Sequence, residues 1–175
     1  DPDLPETGCA TDDYKRSGMD RGHMCPAGDN RWHWKAMQES FYMTNICPQN
    51  HNLNRGDWKE LEDAAACGQK KEGKLYIVCG PVLYRQKHRT IGRKHKVTVP
   101  EAFFKVILST RNGHPKAIGF IFKKFIRNHP LKKYVNSVDE VERITGIDFF
   151  PALPDDVEKK VEAMQDLIYG AFANC

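Results

Sequence analysis

A chain of 175 residues with 40% hydrophobic residues is long enough to bury one sizeable core, and its composition excludes the fibrous, collagenous and disordered classes. No apolar run approaches the ~20 residues that span a bilayer, so a membrane-crossing helix is excluded as well. The net charge of +4 is the sum of two opposed blocks: residues 73–138 hold 15 Lys or Arg against one acid, Glu101 (+14), and the remainder holds 12 basic against 22 acidic groups (−10). Such a basic stretch is either a solvated face offset by acidic helices or a groove for a polyanion. Two sub-clusters favour the groove: Arg85, Lys87, Arg89, Arg93, Lys94 and Lys96 in one, and Lys123, Lys124, Arg127, Lys132 and Lys133 in the other.

In chain order, residues 1–17 are rich in Pro, Asp, Thr and Gly and read as an irregular lead-in. Residues 40–46 predict a short strand ended by Cys47-Pro48. Residues 57–67 predict a helix, with acids in the first turn and Gly68 at its stop. Three strands are predicted at 74–79, 97–109 and 117–125, the first ended by Gly80-Pro81 and the last two separated by Asn112-Gly113-His114-Pro115. The basic loop 84–96 joins the first two. After Pro154, with Asp155 as N-cap, Val157, Val161, Met164, Ile168 and Phe172 recur at helical spacing and predict a terminal amphipathic helix. With no repeat or linker to divide the chain, the expectation is a single α+β domain over 1–175, a mostly antiparallel central sheet flanked by helices.

Six cysteines (Cys9, Cys25, Cys47, Cys67, Cys79, Cys175) are many for a cytosolic protein, and none forms a C-x-x-C pair. They lead to the expectation of disulfides in a secreted or periplasmic protein. The opening residues 1–7 lack the basic start and apolar stretch of a signal peptide, so any signal would lie outside this chain.

The densest run of unusual residues is Met19-Asp20-Arg21-Gly22-His23-Met24-Cys25-Pro26-Ala27. Residues two apart in an extended segment project to one face, which aims Arg21 and His23 at one target. One is a permanent cation, and the other exchanges a proton near neutral pH. Phosphodiester cleavage needs that pair, a base for the attacking water and a cation for the charge growing on the phosphoryl oxygens. Alone, such a histidine is more often a hydrogen-bonded turn residue. A second stretch raises its standing: Asn45, Asn50, Asn52, Asn54 and Gln49 crowd together just before the predicted helix. Carboxamide oxygens are hard neutral ligands that suit Mg²⁺. If the helix begins near Asn54, Glu62 lies two turns on, roughly on the same side. Taken alone, this stretch is also explained by turn and cap hydrogen bonds with a surface acid.

Together the two stretches resemble the DNA/RNA non-specific endonuclease family, the ββα-metal nucleases. The resemblance rests on Asp20-Arg21-Gly22-His23 with Pro26-Ala27, on Asn45-Ile46 with Pro48-Gln49, and on Leu53-Asn54 with Gly56, Trp58, Leu61 and Glu62; it continues through Gly80-Pro81 to Thr145-Gly146-Ile147-Asp148-Phe149-Phe150-Pro151. It implies a strand–strand–helix metal finger packed on the sheet. It implies His23 as general base, Asn54 as the direct protein ligand of one hydrated Mg²⁺, Glu62 ordering that ion's waters, Arg21 neutralising phosphate charge, and Asn45 fixing the site's hydrogen bonds. Mn²⁺ would be able to substitute. The implied reaction is hydrolysis of DNA and RNA leaving 5′-phosphate ends, with the basic loop Arg85, Lys87, Arg89, Arg93, Lys94 and Lys96 on the substrate backbone and a homodimer compatible with all of it.

Where other members carry strands and a further phosphate-contacting arginine before the Asp-Arg-Gly-His stretch, only 19 residues stand here. Arg16 and Arg55 are the candidate substitutes, and a disulfide between Cys25 and Cys47 is expected to brace the site. Two rival readings are a catalytically inactive nucleic-acid-binding module and a small zinc protein using His23, Cys25, Cys47 and His51. The first has no need of His23, Asn54 and Glu62 together, and the second lacks the short Cys pair of a zinc site.

Overall fold

The computed structural model describes residues 1–3, 8–123 and 129–164. In chain order its elements are β1 (Asp20–His23), α1 (Trp34–Glu39), β2 (Ile46–Gln49), α2 (Trp58–Glu72), β3 (Leu75–Val82), β4 (Thr90–Ile91), β5 (Val97–Thr98), β6 (Ala102–Ser109), β7 (Lys116–Lys123), β8 (Val135–Asn136), α3 (Val138–Thr145) and α4 (Asp155–Glu162). The frame is a four-stranded antiparallel sheet in the order β3-β6-β7-β8, with β1-β2 and β4-β5 as separate two-stranded pairs. The α+β expectation holds.

All eight residues of β6 are buried, because the sheet is covered on both faces. Side chains alternate along a strand. Phe103 and Ile107 therefore join Trp58, Leu61, Ala64 and Ala65 of α2, while Ala102, Phe104, Val106 and Leu108 join Val138 and Val141 of α3 and Val161 of α4. Each such aromatic or branched side chain contributes about 1.5–3 kcal/mol on burial, so the two layers hold the sheet between them. On β7, a Cβ at Gly119 would stand 2.7 Å from Val141 Cγ2 and 3.1 Å from the Ser137 carbonyl oxygen. Only glycine lets α3 lie that close.

Several elements depart from the sequence reading. α2 continues through Gly68, which is buried in it, and stops at Gly73, whose positive φ of 80° favours glycine. The cost of an interior glycine, about 1 kcal/mol, is outweighed by the packed face of a 15-residue helix. Residues 43–45 coil in a 3-10 turn, and pairing begins only at Ile46. Pro48 and Pro81 lie within β2 and β3 instead of ending strands, and both strands have a free edge, where a missing N–H is tolerated. The strand predicted over 97–109 is broken at Pro100 into β5 and β6. α1, α3 and β8 have no counterpart in the predicted elements. At α4 the N-cap is Pro154, and Asp155 stands in the first turn. Lys124, Phe125, Arg127, Ile168 and Phe172 lie outside the described residues.

Candidate active site

β1 and β2 pair antiparallel, with Asp20 opposite Gln49, Arg21 opposite Pro48, Gly22 opposite Cys47 and His23 opposite Ile46. A single π-type turn, Leu53–Asp57, then carries the chain from this hairpin into α2, with a kink at Gly56. The two predicted motifs thus form one strand–strand–helix unit. Its Met24, Leu53, Trp58 and Leu61 sink into the core against β6 and β7.

His23 is half-buried, with its ring edge-on to Phe41 at a centroid distance of 4.7 Å. Burial, and secondarily the Arg21 guanidinium, holds its pKa below the ordinary histidine value. The shift favours the neutral imidazole. Its Nε2 is screened from solvent and has no hydrogen-bond partner among the described residues. Asn45 pins the turn that follows: its Oδ1 accepts from Cys25 N at 2.9 Å, and its Nδ2 donates to the carbonyls of Cys25 and Ser40, both at 2.8 Å. The backbone amide of Met24 adds a bond to the Asn45 carbonyl at 2.9 Å. Gly22 is required by its neighbour across the pair, since a Cβ there would fall 2.0 Å from Oε1 of the fully buried Gln49.

Asp20 is the anchor that the sequence reading left without a role. Its Oδ2 accepts from Asn54 Nδ2 at 3.0 Å, His51 Nδ1 lies at 3.0 Å, and Arg55 Nε lies at 3.9 Å. Asn54 is thereby held by its amide nitrogen, and no described donor takes its Oδ1. A hard, neutral oxygen presented this way fits Mg²⁺. At the start of α2, Tyr134 Oη donates to the buried Asp57 Oδ2 at 2.5 Å and fixes the helix to the sheet side.

Arg21, Asp20, Asn54 and Arg55 line one open cleft of about 460 Å³, together with Lys15, Met19, Thr11 and Tyr14. Arg55 is therefore a cleft cation, whereas Arg16 does not line it. Lys105 Nζ lies 3.7 Å from Glu62 Oε1, and among the described residues no hydrogen bond joins Glu62 to Asn54 or His23. A π turn with a kink at Gly56 lies between Asn54 and Glu62. Burial raises the Glu62 pKa, and Lys105 opposes that rise. Lys105 is itself 2% exposed and stacks over Trp58 at 4.2 Å. Its one legible signal is a lysine inside the apolar run from Ala102 to Leu108.

Arg85, Lys87, Arg89, Arg93, Lys94 and Lys96 are all exposed. Their loop is tied to the cleft wall, because His95 Nδ1 meets Asp13 Oδ2 at 2.7 Å and Arg89 reaches the Ser17 carbonyl at 3.5 Å. Asp13 belongs to the 3-10 turn Thr11–Tyr14, whose ends line the cleft. Backbone donation from Ala10, then His95, holds the Asp13 carboxyl well below the usual range.

The expected Cys25–Cys47 bridge is not formed: Cys9, Cys25, Cys47 and Cys79 are free thiols. Cys47 packs against the core, while Cys25 is exposed and accepts from Asn30 Nδ2 at 3.2 Å. Burial pushes the thiols of Cys47 and Cys79 up to about 11, so both are unreactive. Among the described residues, His23, Cys25, Cys47 and His51 do not gather at ligand distance, which removes the zinc reading. No described helix is long and apolar enough to cross a membrane.

A strand–strand–helix unit that carries a histidine on its first strand and places an arginine and an asparagine on a cleft, which His23 itself does not line, is the architecture of a metal-finger nuclease. The chain matches the DNA/RNA non-specific endonuclease family over residues 1–156 and belongs to it. It is 34% identical over 165 residues to a mitochondrial nuclease of Schizosaccharomyces pombe, covering 85% of this chain and 51% of that protein. It is 37% identical over 169 residues to the mitochondrial nuclease EXOG of Danio rerio (87% and 49%), and 32% identical over 151 residues to human endonuclease G (79% and 50%). The crystal structure of an EndoG/EndoGI complex superposes with a TM-score of 0.81 at 29% identity, covering 88% of this chain and 68% of that one. The chain spans about half the length of the curated relatives it matches. These relatives are mitochondrial by name, which overturns the expectation of a secreted or periplasmic protein.

Proposed function

We propose that the chain is a Mg²⁺-dependent endonuclease that hydrolyses the phosphodiester bonds of DNA and RNA in a mitochondrial setting, leaving 5′-phosphate ends. The observation that supports this best is the Asp20–Asn54 bond, which holds the asparagine amide on the wall of the cleft it shares with Arg21. His23 takes the proton from the attacking water, a role for which its lowered pKa keeps it neutral. Arg21 offsets the charge that grows on the phosphoryl oxygens, and Arg55, on the same wall, supplies a second cation. Asn54 Oδ1 would hold Mg²⁺, with Mn²⁺ able to replace it, and the ion would supply Lewis-acid stabilisation of the phosphoryl oxygens. Glu62 would order the water around that ion, and Asn45 keeps the His23 turn in place through its three side-chain hydrogen bonds. Arg85, Lys87, Arg89, Arg93, Lys94 and Lys96 grip the substrate backbone and not its bases, which makes cutting indifferent to sequence and sugar.

The test is digestion of supercoiled plasmid and structured RNA in Mg²⁺ or chelator, beside His23→Ala. Both substrates are cut only with metal, and the variant loses about 10²–10⁴-fold in rate while melting like the wild type. A wild-type chain that retards both nucleic acids on a gel without cutting them supports the inactive binding module instead.

A further inference from the structure

On the face of the sheet away from the cleft, α3 and α4 bring Asp139, Glu142 and Glu162 together so that one carboxylate oxygen of each lies within 4.8 Å of the others. Acidic clusters are common on surfaces, but this one reaches inward. Glu162 is 6% exposed, and its Oε1 is screened from solvent without a hydrogen-bond partner among the described residues. A buried ionised carboxylate without a partner is one of the costliest groups a protein can hold. Burial first, and then the carboxylates of Glu142, Glu158, Asp139 and Asp148, push it up to about 7. Arg143 on α3 is paired with Glu140 at 2.7 and 2.8 Å. Glu142 gives its Oε1 to the amide of Phe149 at 2.7 Å, which orients the carboxylate and leaves Oε2 for a ligand.

We propose that Asp139, Glu142 and Glu162 form a second divalent-cation site, one for Ca²⁺, that ties α4 to α3. The donors are all hard carboxylate oxygens, the set Ca²⁺ prefers. With one oxygen of each within 4.8 Å of the others, an ion centred among them lies about 2.8 Å or less from all three, which small side-chain rotations bring to the ~2.3–2.6 Å of a Ca–O bond. Mg²⁺ demands shorter bonds and a near-ideal octahedron and is the poorer fit. Asp139 is exposed and Glu162 buried, so the ion enters from solvent past Asp139 and closes on Glu162. The site is structural: α4 packs Val161 into the core cluster behind the sheet, and the ion fixes the next residue of that helix.

Calorimetric titration of the chelator-treated chain with CaCl₂ tests this in the wild type, Asn54→Ala and Glu162→Gln, alongside melting curves. One Ca²⁺ per chain is expected in the wild type and in Asn54→Ala, each with a raised melting temperature. Glu162→Gln is expected to bind roughly tenfold more weakly or not at all, while its cleavage in Mg²⁺ is unchanged. Should Glu162→Gln fail to fold, Asp139→Asn, at an exposed position, is expected to weaken Ca²⁺ alone. Ca²⁺ binding that survives Glu162→Gln or vanishes in Asn54→Ala overturns the proposal, as does a wild-type chain that binds no Ca²⁺ at millimolar concentration. Because the readout is binding and melting, it stands or falls separately from the nuclease assignment.

Discussion

The two faces of the sheet each withdraw carboxylates from water, and they treat them in opposite ways. On the cleft side Asp20 meets Asn54, His51 and Arg55, and Asp57 meets Tyr134. Behind the sheet, the charges that act most on Glu162 among the described residues are those of other acids. The first arrangement is complete without any ion and positions the carboxamide that an ion would use. The second is incomplete without one. A polar cluster whose partners come from the protein is scaffolding, and one whose partners are missing points to something bound.

Four substitutions would break or sharpen that contrast. The largest effect is expected from Asp20→Ala, which frees the Asn54 amide: the Mg²⁺ concentration for half-maximal cutting should rise roughly 10–100-fold in cleavage assays titrated with metal. Next, Tyr134→Phe leaves the buried Asp57 carboxylate without its donor and should cost about 1–3 kcal/mol in urea unfolding. A change near zero would mean that Asp57 finds water instead. Behind the sheet, the Glu162 carboxyl is raised from its unfolded value of 4.5 to about 7. Its contribution to stability is therefore fully present below about pH 4.5 and is lost as pH rises through about 7. In chelator, melting temperatures of the wild type should fall across that window, and those of Glu162→Gln should fall less. The smallest effect is expected at His23: because Arg21 adds to burial in lowering its pKa, Arg21→Gln should move the acidic limb of the cleavage rate to higher pH. A limb that stays put would show that burial alone sets it.

Much of the cleft side was legible beforehand because its signals are local. Arg21 and His23 are separated by one residue and share a strand, and the asparagine-rich stretch lies directly before a helix whose formers and first-turn acids are contiguous. Glu62 stands on that helix as the spacing predicts, while the kink at Gly56 between it and Asn54 is something spacing alone does not reveal. Helix ends misled for the same reason, since Gly68 reads as a stop until the packed face that carries the helix past it is known. The cysteines misled at one pair and in compartment: Cys25 and Cys47 are free thiols, and the relatives are mitochondrial by name.

What the sequence determined by itself is what short spans of chain control: the motifs, their order, the alternation of β6 and β7, the α+β class and the basic block. Only the tertiary structure decided which polar groups meet. Asp20 finds Asn54 across 34 residues, Asp57 finds Tyr134 across 77, and Lys105 reaches Glu62 from the facing strand. Glu162 likewise comes to Asp139 and Glu142 only because two helices fold onto one face. The physical reason is range. Periodicity and propensity act over a few residues, whereas the partner of a buried charge is set by the packing of elements far apart in the chain.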